Sequence, residues 1–126
     1  MSKQVVRAYE KLRAHALSLP EAWEDHPWGE SVVKVRKKIF VFLHVPAEGS
    51  KQDTLRFSVK LPASCTEVLR REDAAPMGYG LGRSGWVSLT ITAKNLPKND
   101  VLADWVDESY ECVAPKKLAR LVNPDL

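Results

Sequence analysis

The sequence has no long apolar run and little cysteine. No hydrophobic stretch approaches the roughly 20 residues that a membrane helix requires, and the N-terminal residues contain no apolar signal core. Cys65 and Cys112 are too few and too far apart for a metal-binding motif. These absences predict a cytoplasmic protein with reduced thiols and no membrane association.

Internal repeats, low-complexity tracts and linker-like segments are also missing. A chain of 126 residues has the usual size of one domain, and it is long enough to bury a core without disulfides. We therefore expect a single domain over residues 1–126.

Residues that would support catalysis or a cofactor do not fall into recognisable patterns. Glu24, Asp25 and His26 are adjacent in a predicted loop and share no helical or strand spacing, so they do not predict a metal site. The glycine-rich stretch 78–85 precedes a strand pattern, whereas a dinucleotide-binding loop opens a helix. No paired carboxylates and no nucleophile with a nearby base emerge. The sequence gives no support for an enzyme and predicts neither a cofactor nor a metal.

The most distinctive stretch is Pro76 to Ile91, which begins with a glycine cluster. Four of the six glycines lie between positions 78 and 85, and strict alternation of apolar and polar residues follows from Val87 to Thr92. This pattern predicts a loop that enters a strand with one buried face. Because turns use glycine for its backbone freedom, we expect at least one of these glycines to have positive φ.

Apolar periodicity predicts the order helix, three strands, helix, strand, helix, helix. The predicted helices cover about 2–18, 65–72, a segment capped by Asn99, and a last one that starts at Pro115 with Leu118, Leu121 and Val122 inward. The predicted strands cover 32–35, 39–45, 54–60 and 86–92.

The connections between these elements are also predicted. Residues 21–30 should form a connection that Trp23 and Trp28 anchor against the core. Arg36–Lys38 should form a hairpin turn, and residues 46–53 a polar loop. Ser64 and Glu67 fit a capping box at the start of the second helix.

Three strands in succession cannot all be joined by crossover helices, so the sheet should be largely antiparallel. Such a sheet can bury one face under helices and leave the other partly open. The sequence therefore predicts an α+β two-layer sandwich, with four or five strands backed by the first helix and the Asn99 helix.

Positive charge is concentrated in the middle of the chain. Residues 31–60 carry seven basic and two acidic side chains, a net of +5, whereas the whole chain has a formal charge of +3. Any electrostatic surface should therefore lie on the sheet.

Alternation sends a mixture of basic and aromatic side chains away from the core, including Phe40, Phe42 and Trp86. Such a mixture suits phosphate contacts and base stacking. The candidate nucleic-acid-binding residues are Lys34, Arg36, Lys37, Lys38, Arg56, Lys60, Arg83 and Trp86. The same mixture suits a protein–protein adaptor surface, and a third interpretation is that a helix covers the aromatics while the lysine stems pass beside them.

The run Gly78–Leu89 resembles the Pro-Gly-Tyr-His-Leu-Asn-Lys-Arg-His-Trp-Asn-Thr-Val segment of the MmcQ/YjbR family. Further segments resemble the family in the same order: His26–Gly29, Lys38–Phe40, Phe57–Lys60 and Asp107–Tyr110. The resemblance extends from about Tyr9 to Leu121.

The resemblance implies a CyaY-like, or frataxin-like, sandwich and DNA binding through a double wing. The basic hairpin tips would straddle double-stranded DNA, with contacts that position rather than specify, and the alternative partner is a protein. Gly80 and Gly82 stand where the family has polar His and Asn, so no role of those side chains carries over. Frataxin-like iron binding is not supported, because the first helix offers only Glu10 amid Lys3, Arg7, Lys11 and Arg13.

Overall fold

The computed structural model describes residues 3–27, 30–44, 54–78 and 80–126. The helices are α1 (Lys3–Ser18), α2 (Cys65–Val68), α3 (Asn99–Val113) and α4 (Lys116–Val122). The strands are β1 (Ala22–Asp25), β2 (Ser31–Val35), β3 (Lys38–His44), β4 (Thr54–Lys60), β5 (Ala74–Pro76) and β6 (Trp86–Thr92). Short 3₁₀ helices cover Leu81–Ser84 and Ala93–Asn95. None of the described helices combines the length and apolarity needed to cross a bilayer.

The strands form one sheet in the order β1-β2-β3-β4-β6-β5, and every neighbouring pair is antiparallel. The predicted antiparallel α+β sandwich is therefore confirmed. The predicted number of strands is too low, because both outermost strands are additional. Residues 22–25 form β1 instead of a connection, and residues 74–76 form β5.

One face of the sheet packs against α1 and α3. Helix α1 buries Val5, Ala8, Leu12 and Ala16, a three-and-four spacing that keeps all four on one side. Helix α3 places Trp105 beside Phe57, with ring centroids 6.3 Å apart. All these side chains belong to one cluster with the inward residues of the central strands. Each fully buried large apolar side chain contributes about 1.5–3 kcal/mol, so this inner face holds the two layers together.

A β-bulge in β3 reverses part of the predicted alternation. Val33 pairs with Val41 and Lys34 pairs with Ile39, so Phe40 is an extra residue in β3. Phe40 and Val41 consequently both lie in the core, and Phe40 meets Tyr110 edge to face at 5.2 Å. The predictions that Phe40 points outward and Ile39 inward are therefore wrong, since Ile39 shares the outer face with Lys34.

Four consecutive residues of α3 each bind a different part of the chain. They are Asp107, Glu108, Ser109 and Tyr110, the same segment that carries part of the family resemblance. The side chain of Asp107 binds His15, and that of Glu108 binds Ala63 and Ser64. The side chain of Ser109 binds Phe40 and Lys60, and that of Tyr110 binds Pro20. The segment thus has a structural role that its sequence pattern did not reveal.

Some predicted helix details differ from the structure. Helix α2 ends at Val68 rather than near residue 72, and the Ser64 hydroxyl donates to Glu108 instead of capping α2. Asn99 lies within the first turn of α3, whose N-cap is Lys98. Leu121 is 68% exposed, whereas Leu118 is buried as predicted. Helix α1 is confirmed from Lys3 to Ser18. The predicted helix start at Ser2, the predicted Trp28 anchor and the predicted polar loop 46–53 lie outside the described residues, as do positions 1, 29, 45 and 79.

The glycine cluster forms the turn that leads into β6. Gly80 and Gly85 have φ of 77° and 93°, which confirms the prediction of positive φ. Gly85 also lies so close to Pro62 that a Cβ there would meet its backbone at 3.1 Å. Two separate constraints therefore favour glycine at position 85.

Candidate functional site

Two basic tips lie at the same end of the sheet. The first tip is Arg36–Lys38, where Val35 pairs with Lys38 across a two-residue turn. The second tip is the 3₁₀ helix Leu81–Ser84, which precedes β6 and contains Arg83. Strand β3 begins at the first tip and β4 runs antiparallel to it, so β4 ends at the same end of the sheet as that tip. Lys60, the last residue of β4, pairs with Trp86, the first residue of β6, so β6 begins at this end as well. The first tip joins β2 to β3 and the second lies in the connection from β5 to β6, so the tips are three strand spacings apart. With neighbouring strands about 4.8 Å apart, this separation is about 14 Å.

The backbone of the first tip is held in an uncommon conformation. Arg36 has φ of 55°, which costs a residue other than glycine about 1–2 kcal/mol. The Nε1–H of Trp23 donates to the Arg36 carbonyl oxygen at 2.8 Å. The Arg36 guanidinium lies 3.5 Å from Glu21, and both side chains are more than half exposed, so this ion pair contributes little energy. Contact with β1 therefore supports the turn.

The lysines of the first tip differ from the neighbouring cations. Lys37 and Lys38 are exposed, and within the described ranges no carboxylate forms an ion pair with either of them. Arg83 of the second tip is likewise exposed and unpaired in that part of the chain. These three charges are available to an anionic partner.

Lys34 is a different case, because Asp25 already neutralises it. Its Nζ donates to Asp25 at 2.7 Å and lies 5.2 Å from the centre of the Trp23 ring. The hydrogen bond from Lys34, followed by the backbone N–H of His26, holds the pKa of Asp25 below its usual value. Lys34 therefore adds less positive charge to the outer face than its sequence position predicted.

The aromatic residues of the outer face are also arranged differently from the prediction. Trp86 is only 8% exposed and packs edge to face against Phe42, with ring centroids 5.3 Å apart. Trp23, expected to anchor a connection in the core, is instead 43% exposed. Of these two tryptophans, Trp23 is therefore the exposed one and Trp86 the buried one, so Trp86 is poorly placed to stack on a base.

The two remaining predicted site residues lie on β4, in different positions. Lys60 is at the tip end of the strand and is half-buried. Arg56 lies four residues away, about 13 Å along the strand, where it pairs with His44. Burial, followed by the Arg56 guanidinium, lowers the pKa of His44, so its imidazole is neutral near pH 7. The site therefore comprises Arg36, Lys37, Lys38, Lys60 and Arg83, with Arg56 outside it.

The adjacent residues Glu24 and Asp25 lie on opposite faces of the sheet. Glu24 pairs with Val33 on the inner face, where Arg13 and Ser31 bind its carboxylate. Asp25 pairs with Val32 on the outer face. Within the described residues, no group of three or more His, Cys, Asp or Glu side chains could hold a metal ion.

Comparison with known proteins identifies the family. The YjbR family model matches residues 17–112, more than half of the chain. This chain belongs to the YjbR family. A crystal structure of Deinococcus radiodurans protein DR2400, described as having a DUF419 domain, is similar to this YjbR domain with 25% identity and a TM-score of 0.64. The match covers 92% of this chain and 85% of that one. No curated protein matches.

Proposed function

We propose that this YjbR domain binds double-stranded DNA weakly, through the two basic tips at one end of its sheet. The observation that carries the proposal is the position of Lys37, Lys38 and Arg83. They are exposed, they have no ion-pair partner in the described part of the chain, and they lie at the same end. Lys60 lies on the strand between the two tips.

The spacing of the tips suits a duplex backbone. The tips are about 14 Å apart, close to the width of the major groove of B-DNA, which is about 12 Å. Each tip can therefore contact one of the phosphate rows that border the groove. Phosphate contacts position a protein without reading sequence, so binding should depend little on sequence, with dissociation constants of about 10⁻⁴ to 10⁻⁶ M at physiological salt.

Two contacts within the sheet favour the end of the sheet, rather than its face, as the proposed interface. Asp25 neutralises Lys34, and Trp86 packs against Phe42, so the face offers fewer free cations and aromatics than alternation indicated. The CyaY-like relationship and the cytoplasmic location stay predictions of the sequence.

Fluorescence anisotropy of a labelled duplex tests the proposal between about 50 and 200 mM salt, the range over which phosphate-driven binding weakens steeply. The tip variant combines Lys37→Ala, Lys38→Ala and Arg83→Ala. It should bind more weakly, and its log–log salt slope should be flatter by up to about three, since each phosphate contact contributes about 0.9.

A matched control removes the same charge from the helical layer. Lys3→Ala, Arg7→Ala and Lys11→Ala change exposed residues of α1 and should leave the slope nearly unchanged. Absence of wild-type binding at low salt, or equal slopes for the two triple variants, would overturn the proposal. A protein partner would then be the remaining candidate.

A further inference from the structure

We propose that Trp23 is a stacking platform for an unpaired base, which makes single-stranded DNA the preferred ligand of this interface. The inference rests on the proposed function, because the same cations would hold the phosphates of the strand. Trp23 is 43% exposed, whereas Trp86 and Trp105 are 8% and 9% exposed. A large aromatic surface left in water forgoes burial energy, and at a cationic tip it is suited to stacking.

The indole is held in place before any ligand binds. Its Nε1–H donates to the Arg36 carbonyl oxygen at 2.8 Å, and Lys34 lies 5.2 Å from the ring centre. Asp25 in turn fixes the Lys34 ammonium at 2.7 Å. A side chain fixed in this way loses little conformational entropy when a ligand stacks on it.

The position of Trp23 in the sheet leaves one side of the ring approachable. Lys34 reaches the ring from β2, the neighbouring strand. Strand β1 is the outermost strand on its side, with no described strand beyond it. A base can therefore approach from the edge of the sheet, on the side away from Lys34.

The indole and the free lysines belong to the same structural feature. The Trp23 hydrogen bond ends on Arg36, and Lys37 follows immediately at the turn, whereas Lys38 pairs with Val35 and lies on the opposite face of the sheet. The carboxylates of Glu21 and Asp25 near this tip are both ion-paired, so they do not present free negative charge to a phosphate. Cations that hold the backbone beside an aromatic that stacks a base are the usual arrangement for binding single strands.

This arrangement distinguishes single strands from duplexes. In a duplex each base is already stacked between its neighbours, so Trp23 can reach it only if it is extruded at an energetic cost. In a single strand the base is available, and stacking on an aromatic side chain contributes about 1–3 kcal/mol per base.

The test compares a labelled thymine oligonucleotide of about 15 nucleotides, near the upper site size of single-strand binding domains, with a duplex of the same length. The wild-type protein should prefer the single strand. Trp23→Leu keeps an apolar side chain without a ring, and it should lower the ratio of single-strand to duplex affinity by about five- to 150-fold. Trp23→Phe, which retains an aromatic ring, should preserve part of the preference.

Intrinsic fluorescence provides a second measurement. The single strand should quench the emission of the wild-type protein, which contains four tryptophans. The quenching should be largely lost in Trp23→Phe and retained in Trp86→Phe, whose altered side chain packs against Phe42. Circular dichroism establishes that each variant is folded.

The outcomes separate the two proposals. If the wild-type protein binds neither ligand, the proposed function fails. If it binds DNA but the affinity ratio and the quenching are unchanged by the Trp23 variants, DNA binding stands and the assignment of Trp23 is wrong.

Discussion

The hydroxyl of Ser109 bridges Phe40 to the neighbouring strand at the point where the bulge separates them. It donates to the Phe40 carbonyl oxygen and accepts the Lys60 N–H at 2.9 Å. One side chain of α3 thereby satisfies two backbone groups, one on β3 and one on β4. This contact links the backbone at the bulge to β4.

Replacing Ser109 with alanine should be strongly destabilising. Ser109→Ala leaves the Phe40 carbonyl and the Lys60 N–H without their partner, and each unsatisfied buried group costs about 1–3 kcal/mol. We expect a loss of about 2–4 kcal/mol in the free energy of unfolding, measured by urea titration. Ser18→Ala removes an exposed hydroxyl and should change stability by less than about 0.5 kcal/mol. Similar losses in the two variants would contradict the bridging role.

The glycines of the turn before β6 should differ in their tolerance of alanine. Gly85→Ala places a Cβ at φ of 93° and within 3.1 Å of the Pro62 backbone, so it should cost about 1–3 kcal/mol. At Gly78 a Cβ would meet nothing within 4 Å, so Gly78→Ala should be neutral or stabilise by up to about 1 kcal/mol. Thermal denaturation of the two variants measures the difference, and equal shifts in Tm would show that the glycines are interchangeable.

The ion pair between Arg13 and Glu24 should make stability depend on pH. The hydrogen bond from Arg13 is the main cause that lowers the pKa of Glu24, although partial burial opposes it. In the unfolded chain this pKa is about 4.3. The stabilisation should therefore be complete above that pH and lost as the pH falls through the lower folded-state pKa.

Glu24→Gln isolates this contribution. The variant should be about 1 kcal/mol less stable than the wild-type protein near pH 7, and the difference should shrink in acid. Urea midpoints measured between about pH 7 and pH 3 follow the difference across this interval. Glu10→Gln changes an exposed glutamate of α1, the helix that carries Arg13, and serves as the control. A difference in stability between the wild-type protein and Glu24→Gln that grows as the pH falls would contradict the predicted role of the ion pair.

Long periodic patterns predicted most of the fold, whereas the edges of the sheet were missed. The helix α1 and the strands β4 and β6 have enough residues for their periodicity to be visible. Strand β1 has only four residues and β5 only three, without an alternating apolar pattern. Their strand conformation comes from pairing with β2 and β6, and local sequence carries no signal for that pairing.

The bulge in β3 was not predicted, for a related reason. Alternation assumes a constant period of two, and one extra residue reverses the face of everything on its far side. Neither glycine nor proline marks the bulge, since the local sequence is Lys38-Ile-Phe-Val41. In the folded chain Phe40 packs against Tyr110, 70 positions away, and no local pattern carries a signal for that contact.

The basic residues of the site were identified from sequence, but their charge balance was not. Charge counting found Lys34 and Arg36, while their partners Asp25 and Glu21 lie in the segment that was not recognised as including a strand. Only the pairing of β1 with β2 brings these groups together. Because β1 was not predicted, the exposure of Trp23 at the edge of the sheet was not predicted either.

The hydrogen bonds made by Asp107 to Tyr110 of α3 have a consequence for how the domain unfolds. Successive residues of a helix point about 100° apart, so Asp107 to Tyr110 face in four directions and bind segments all around the axis. A local fluctuation cannot detach α3 without also releasing α1, α2 and the bulged strand. The amide protons of α3 should therefore exchange with solvent deuterium only through unfolding of the entire domain, together with those of the central strands.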